Sequence, residues 1–328
     1  MKFLYPIIRV VLTCAVASTA LLAGADAWAD LTADQVGTLT GKVIRLGDKA
    51  ALETLMTEAQ KGNQYAQNNL GVLYNKGQGV PQDYSQATQW FRKAAQQGSA
   101  DAQLNLGGQY AIGQGVPQDY SEAAQWFRKA AEQGGAEAQH NLGMLYADGL
   151  GVPQDYNQAA QWWRKAAEQG VALAQYNLGI FYMKGQGVSQ DYGQAAQWFL
   201  KAAEQGDVRA QYNLGVFYYH GQGVEQNYGQ VAQWWCKAAA EGDANAQYGL
   251  GLLYVNGQGV PRSKVVAYAL YNLSTAQGNK IAFNHRSFLA KDMTEQEIND
   301  GRALSSKMNV PGNLLKALDA YLAGSGSN

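Results

Sequence analysis

The stretch GAEAQHNLGMLYADGLGVPQDYNQAAQWWRKAAEQG, residues 135–170, decides the fold. Ala138, Leu142, Leu145 and Tyr146 recur at helical spacing, which predicts a first helix, A, burying one stripe. The run Ala147-Asp148-Gly149-Leu150-Gly151-Val152-Pro153 cannot extend that helix, because glycine admits positive φ and proline has no N–H to donate. Asp155 then opens a second helix, B, with Gln158 three residues on in a capping-box-like arrangement. Ala159, Trp162, Trp163 and Ala166 form the apolar face of B, and Gly170 ends it. The stretch reads as a helix hairpin.

The hairpin copies itself every 36 residues. GQGVPQDY begins at Gly77 and Gly113, and returns edited at Gly149, Gly185, Gly221 and Gly257. The cap pattern recurs as Asp83 with Gln86, Asp119 with Glu122 and Asp191 with Gln194. Gly71, Gly107, Gly143, Gly179, Gly215 and Gly251 sit inside the A helices, where glycine costs about 1 kcal/mol against alanine. Its return in each copy predicts a packing role, with helix B approaching closely. The pairs Trp90/Phe91, Trp126/Phe127, Trp162/Trp163, Trp198/Phe199 and Trp234/Trp235 are expected to join neighbouring hairpins, with ligand stacking as the alternative. A period of this length predicts a solenoid, which displays a long binding surface in place of a deep pocket.

The ends depart from the pattern. Lys2, Arg9, the apolar run 10–24 and Ala27-Trp28-Ala29 predict a signal peptide over 1–29, cleaved after Ala29. A membrane anchor is the alternative; a lipoprotein reading of Cys14 fails on the poor match of Leu12-Thr13. The expected location is therefore periplasmic or secreted, with no membrane insertion after cleavage. Capping helices are expected over 30–62, with Thr32 and Gln35 opening the first and Asp48 an orphan B helix. Six repeats follow over 63–278, then capping helices over 279–323 and a flexible tail over 324–328. Cys236 stands where Arg92, Arg128 and Arg164 stand in earlier copies. As the one cysteine left after cleavage it cannot bridge its own chain; it is either a tolerated substitution or a link to a second chain.

Composition narrows the partner. The net charge is −1 and charged residues make up 16% of the chain, which gives no reason to expect nucleic acid. His140, His220 and His285 lack metal-ligand spacing, and Gly77-Gln78-Gly79 lacks both the third glycine of a dinucleotide fingerprint and the Gly-Lys-Ser/Thr of a phosphate loop. No G-x-S-x-G occurs, and Asp119, Glu132, Asp155 and Glu168 are explained by caps or exposed faces. The expectation is no catalytic residue, no metal and no cofactor. A cell-wall hydrolase, or a peptidoglycan- or carbohydrate-binding protein, stays as the alternative.

The pattern A-x-x-x-L-G-x-x-Y, a G-x-G-V turn, D-x-x-x-A-x-x-W and K-A-A-x-x-G resembles the Sel1-like repeat family, a relative of the tetratricopeptide repeat. The resemblance implies an all-α, right-handed superhelical solenoid of antiparallel helix hairpins, with A helices lining a concave face. It implies an adaptor or scaffold that binds a protein or peptide, with envelope assembly or host contact as the setting of exported bacterial members. On that geometry, residues two and six after the A-helix alanine share the groove face. The first set is Asn68, Leu104, His140, Tyr176, Tyr212 and Tyr248; the second is Val72, Gly108, Met144, Ile180, Val216 and Leu252. Met183 and Tyr219 lie three residues further on. The expected partner-binding residues are His140, Met144, Tyr176, Ile180, Met183, Tyr212, Val216, Tyr219, Tyr248 and Leu252. Packing against adjacent A helices is the alternative for the tyrosines.

Overall fold

The computed structural model describes residues 31–325, so the expected signal peptide lies outside the described residues. Among them the chain forms seventeen α-helices and one short 3-10 turn, all joined in chain order. Helices α1 (Ala33–Leu46) and α2 (Lys49–Lys61) precede the repeats. The A helices are α3 (Gln64–Lys76), α5 (Ala100–Ile112), α7 (Ala136–Asp148), α9 (Ala172–Lys184), α11 (Val208–His220) and α13 (Ala244–Asn256). The B helices are α4 (Tyr84–Gln96), α6 (Tyr120–Glu132), α8 (Tyr156–Glu168), α10 (Tyr192–Glu204), α12 (Tyr228–Ala240) and α14 (Lys264–Ala276). Helix α15 (Lys280–Leu289), the turn Ala290–Asp292, α16 (Glu295–Met308) and α17 (Leu314–Ser325) follow. Helix α17 runs past Gly324, where the flexible tail was expected to begin; residues 326–328 lie outside the described set.

Each boundary has a local cause. Asp83, Asp119, Asp155 and Asp191 accept from the backbone N–H three residues on, at 2.9–3.1 Å, and hold the start of each B helix. The return bond that completes a capping box closes at Thr32–Gln35 and Thr294–Glu297. Glu122, expected to reach back in the same way, accepts instead from the Trp126 indole at 3.1 Å. In the turns, Gly115 takes φ 71° and lies against the Tyr84 carbonyl of the preceding B helix. A side chain there would be strained and would also collide with that backbone.

The A-helix glycines have the predicted packing role. A Cβ built on Gly71 or Gly107 would stand 2.6 Å from the Phe91 or Phe127 ring, and on Gly143 2.6 Å from Trp163. Gly179 meets Phe199 at 2.8 Å, Gly251 meets Tyr271 at 2.6 Å, and Gly215 lies against the Trp235 indole. The second ring of each aromatic pair is therefore a wedge seated on the glycine of its own hairpin. These rings are buried, each worth about 1.5–3 kcal/mol of transfer free energy. The first ring reaches backward: Trp90 packs on the cluster of Val36, Leu55 and Leu70, and Trp126 on the cluster of Phe91. Trp234 likewise joins the cluster of Phe199. Lys93, Lys129, Lys165, Lys201 and Lys237 cap these first rings at 3.9–4.2 Å. Trp90, Trp126 and Trp162 are half-buried beneath them, Trp198 and Trp234 buried.

The chain divides inside α8 into two compact units, one ending at Ala166 and the other starting at Ala167. A glutamine ladder runs within each. Gln67, Gln103, Gln175, Gln211 and Gln247 donate to carbonyls at the end of the preceding B helix, at 3.0–3.2 Å. Four of them accept in turn from the glutamine ending their own hairpin: Gln97, Gln133, Gln205 and Gln277, at 2.7–2.9 Å. Position 241, the counterpart for Gln211, is glutamate, and the buried Gln211 Oε1 has no hydrogen-bond partner among the described residues. A carboxylate has no proton to offer that oxygen.

Two substitutions test this packing by thermal unfolding followed by circular dichroism. Gly215→Ala is expected to destabilise by about 1–3 kcal/mol through overlap with Trp235, exceeding the gain of about 1 kcal/mol in helix propensity. Glu241→Gln is expected to raise the midpoint, adding about 1 kcal/mol by satisfying Gln211.

Candidate functional site

The expected contact residues lie on A helices, whose positions the wedges fix. In the first unit, His140 is 7% exposed: its ring stacks on Trp163 at 6.4 Å, and its carbonyl accepts from the Trp163 indole at 3.1 Å. The histidine is thus part of the wall beneath the face, and Met144 beside it is half-buried. Earlier on the same unit, where the face carries Asn68, Val72, Leu104 and Gly108, side-chain amides bond one A helix to the next. Asn105 donates to Asn68 at 3.0 Å and Gln109 to Asn75 at 2.7 Å.

In the second unit the face is aromatic and aliphatic. Tyr176, Ile180, Met183, Tyr212, Val216, Tyr219, Tyr248 and Leu252 are all half-buried. Tyr176 leans on the Phe199 wedge at 5.8 Å, with the Arg209 guanidinium 4.2 Å above its ring. Tyr212 and Tyr219 stack on the Trp235 wedge, at 6.1 and 5.7 Å, and the Trp235 indole donates to the Tyr212 carbonyl at 3.1 Å. Tyr248 leans on the Tyr271 wedge at 5.7 Å. Burial raises the Tyr212 and Tyr248 phenols above their ordinary range, with Asp243 adding to the effect at Tyr212. At neutral pH Tyr212 and Tyr248 are therefore neutral phenol donors.

The same register extends to residues that counting within the repeats missed. His285 of α15 meets Tyr248 edge-on at 5.2 Å, and its Nε2 lies 3.3 Å from the tyrosine hydroxyl. Phe288 stands one period after Leu252, and simple continuation of the count would have found it. Elsewhere, a depression of about 430 Å³ opens beside the start of α1, between Leu31, Thr32, Asn63, Gln64, Tyr65 and Gln97. Asn63 in its wall is already bonded to the Leu31 carbonyl at 2.7 Å. Among the described residues no three His, Cys, Asp or Glu side chains converge as metal donors. None of their helices is long and apolar enough to cross a membrane.

Comparison with known proteins places this geometry. Six consecutive Sel1 repeats match residues 64–99, 100–135, 136–171, 172–207, 208–243 and 244–279. The chain is similar to the crystal structure of a protective antigen from uropathogenic Escherichia coli strains displaying an SLR fold, at 38% identity and TM-score 0.72. That likeness covers 78% of this chain and 57% of the other, so the chain spans little more than half of that relative. It is also similar to a Sel1 repeat protein from Oxalobacter formigenes, at 35% identity and TM-score 0.63, covering 73% of this chain and 96% of the other. No curated protein matched the chain.

Inside the matched region the arginine position of the first three hairpins holds Leu200 in the fourth and Cys236 in the fifth. In earlier hairpins the arginine at this position bonds a tyrosine, Arg92 to Tyr110 at 2.9 Å and Arg128 to Tyr146 at 2.6 Å. Here the C-terminal helix α17 folds back onto α12, and Cys236 lies half-buried with Tyr254 and Asp319 nearby. A small side chain makes room for that return. Burial, aided by Asp319, pushes the thiol pKa up to about 11, and burial likewise pushes Tyr254 to about 12. Alkylation of the native protein is expected to be slow at neutral pH and to keep rising about tenfold per pH unit between about pH 8 and 10. A rate that levels near pH 9, or a disulfide-linked dimer of the folded chain, contradicts the buried thiol.

Proposed function

The chain belongs to the Sel1 repeat family, and on that footing we propose that it is an exported interaction scaffold gripping a peptide or protein segment along its A-helix face. Sel1 repeat proteins generally mediate protein–protein interaction, and the scaffold is typically non-catalytic. The observation that carries the finer reading is the half-buried stripe of Tyr176, Tyr212 and Tyr248. Each ring gives one face to a B-helix wedge and keeps part of its surface open. A ring braced in this way has little rotamer entropy left to lose, so contact with a partner costs less than contact by a free side chain. Ile180, Met183, Val216, Tyr219 and Leu252 border the stripe with apolar surface suited to an interface centre.

Export rests on the basic start, the apolar run and Ala27-Trp28-Ala29 in the sequence. Similarity to a protein described as a protective antigen is in keeping with envelope or host contact as the setting. The test is affinity capture from envelope and culture fluid with the wild type, with Tyr176→Ala/Tyr212→Ala/Tyr248→Ala, and with Gly71→Ala as a control that weakens packing against Phe91 in the first unit and leaves the wedges beneath the stripe untouched. The triple variant is expected to lose the captured partner while the control keeps it. Equal loss in both, or lowered stability with unchanged capture, contradicts the proposal.

A further inference from the structure

The second unit carries a charge asymmetry that the whole chain hides. Between Ala244 and Lys291 the sequence has Arg262, Lys264, Lys280, Arg286 and Lys291 and no aspartate or glutamate, although the chain as a whole has a net charge of −1. This carboxylate-free segment holds α13, α14 and α15, and it is bounded by Asp243 and Asp292.

Helix α15 packs on α14 as α5, α7, α11 and α13 pack on the B helix before them, but among the described residues no B helix of its own covers it. Helix α16 crosses to α14 instead, where Gly301 faces the Tyr268 ring. The repeat register places Phe288 one period after Leu252, on the same line as Val216, and the contact between Tyr248 and His285 sets the two faces side by side. The stripe therefore continues onto α15, and there it opens: Phe288 is 69% exposed and Ile281 58%. Lys291 stands 5.8 Å from the Phe288 ring, and Lys280 is exposed at the start of the same helix.

Open apolar side chains flanked by the exposed cations Lys280 and Lys291 call for a complementary surface. We propose that the α13–α15 end of this face docks an acidic polypeptide segment that places apolar side chains on Ile281 and Phe288 and carboxylates beside Lys280 and Lys291. This rests on the reading of the A-helix face as the binding face, and adds the chemistry of the partner. Anchors of this kind favour a polypeptide over a nucleic acid, whose backbone would engage cations alone. A second copy of α1 is a poor fit, since its exposed Ile44 and Leu46 are accompanied by Lys42 and Arg45.

The experiment is selection of a displayed random-peptide library on the immobilised full chain, with binders then titrated against variants. Selected peptides are expected to combine Asp or Glu with apolar residues. Their affinity is expected to fall at least about tenfold for Ile281→Ser/Phe288→Ser and for Lys280→Glu/Lys291→Glu, and to weaken with salt. Binders lost in the triple tyrosine variant but indifferent to the α15 variants, or free of acidic residues, overturn this inference and leave the groove reading standing. Binders indifferent to all three sets, or no enrichment, overturn both. A concentration-dependent dimer abolished by Ile281→Ser/Phe288→Ser in analytical ultracentrifugation assigns the surface to a second copy, and tighter binding of single-stranded DNA than of any selected peptide assigns it to nucleic acid; either overturns the proposal.

Discussion

Everything in this molecule depends on an absence: the missing Cβ at one position of each A helix. Gly71, Gly107, Gly143, Gly179, Gly215 and Gly251 let the ring of the following helix sit directly on the helix backbone. The cost in helix propensity, about 1 kcal/mol at each site, is outweighed by burying a Phe, Trp or Tyr ring worth about 1.5–3 kcal/mol. The seated ring then fixes what stands above it. Where the wedge is Trp163 or Trp235, its indole also bonds an A-helix carbonyl, which pins the hairpin angle. The tyrosines of the A-helix face rest on these wedges, so the same contact that closes the hairpin braces the residues offered to a partner.

The departures from the repeat are as informative as the copies. Glu241 interrupts the glutamine ladder and leaves Gln211 with an unbonded buried oxygen, a local weak point inside an otherwise satisfied array. Leu200 and Cys236 both give up the arginine–tyrosine bond of the first hairpins, and beside Cys236 helix α17 returns over α12. Helix α15 keeps the A-helix position without a B helix of its own, and so ends the stripe in exposed rings.

Most of the fold was legible because periodicity carries it. A glycine, an aromatic pair and a cap at fixed offsets specify the hairpin, and copying specifies the stack. The faces were less legible. Position two after the alanine was assigned to the open surface in every copy, yet His140 is buried because its ring lies flat on the broad indole of Trp163, while Tyr212 on the equivalent Trp235 keeps part of its ring exposed. Register fixes direction, but the size of the side chain and its neighbours fixes exposure. Phe288 escaped notice because the turn and aromatic signature fades after Gly278, although the spacing of α15 does not. The surroundings of Cys236 could not be read locally at all, since the helix that covers it comes from the far end of the chain.

Amide hydrogen exchange on the full chain tests the central claim most directly. If glycine-seated wedges organise the stack, the slowest amides will recur once per 36 residues around those glycines, with faster exchange where Glu241 leaves Gln211 unbonded. Protection that is uniform along the helices, or strongest at the turns, would show that the hairpins are held by something other than this contact.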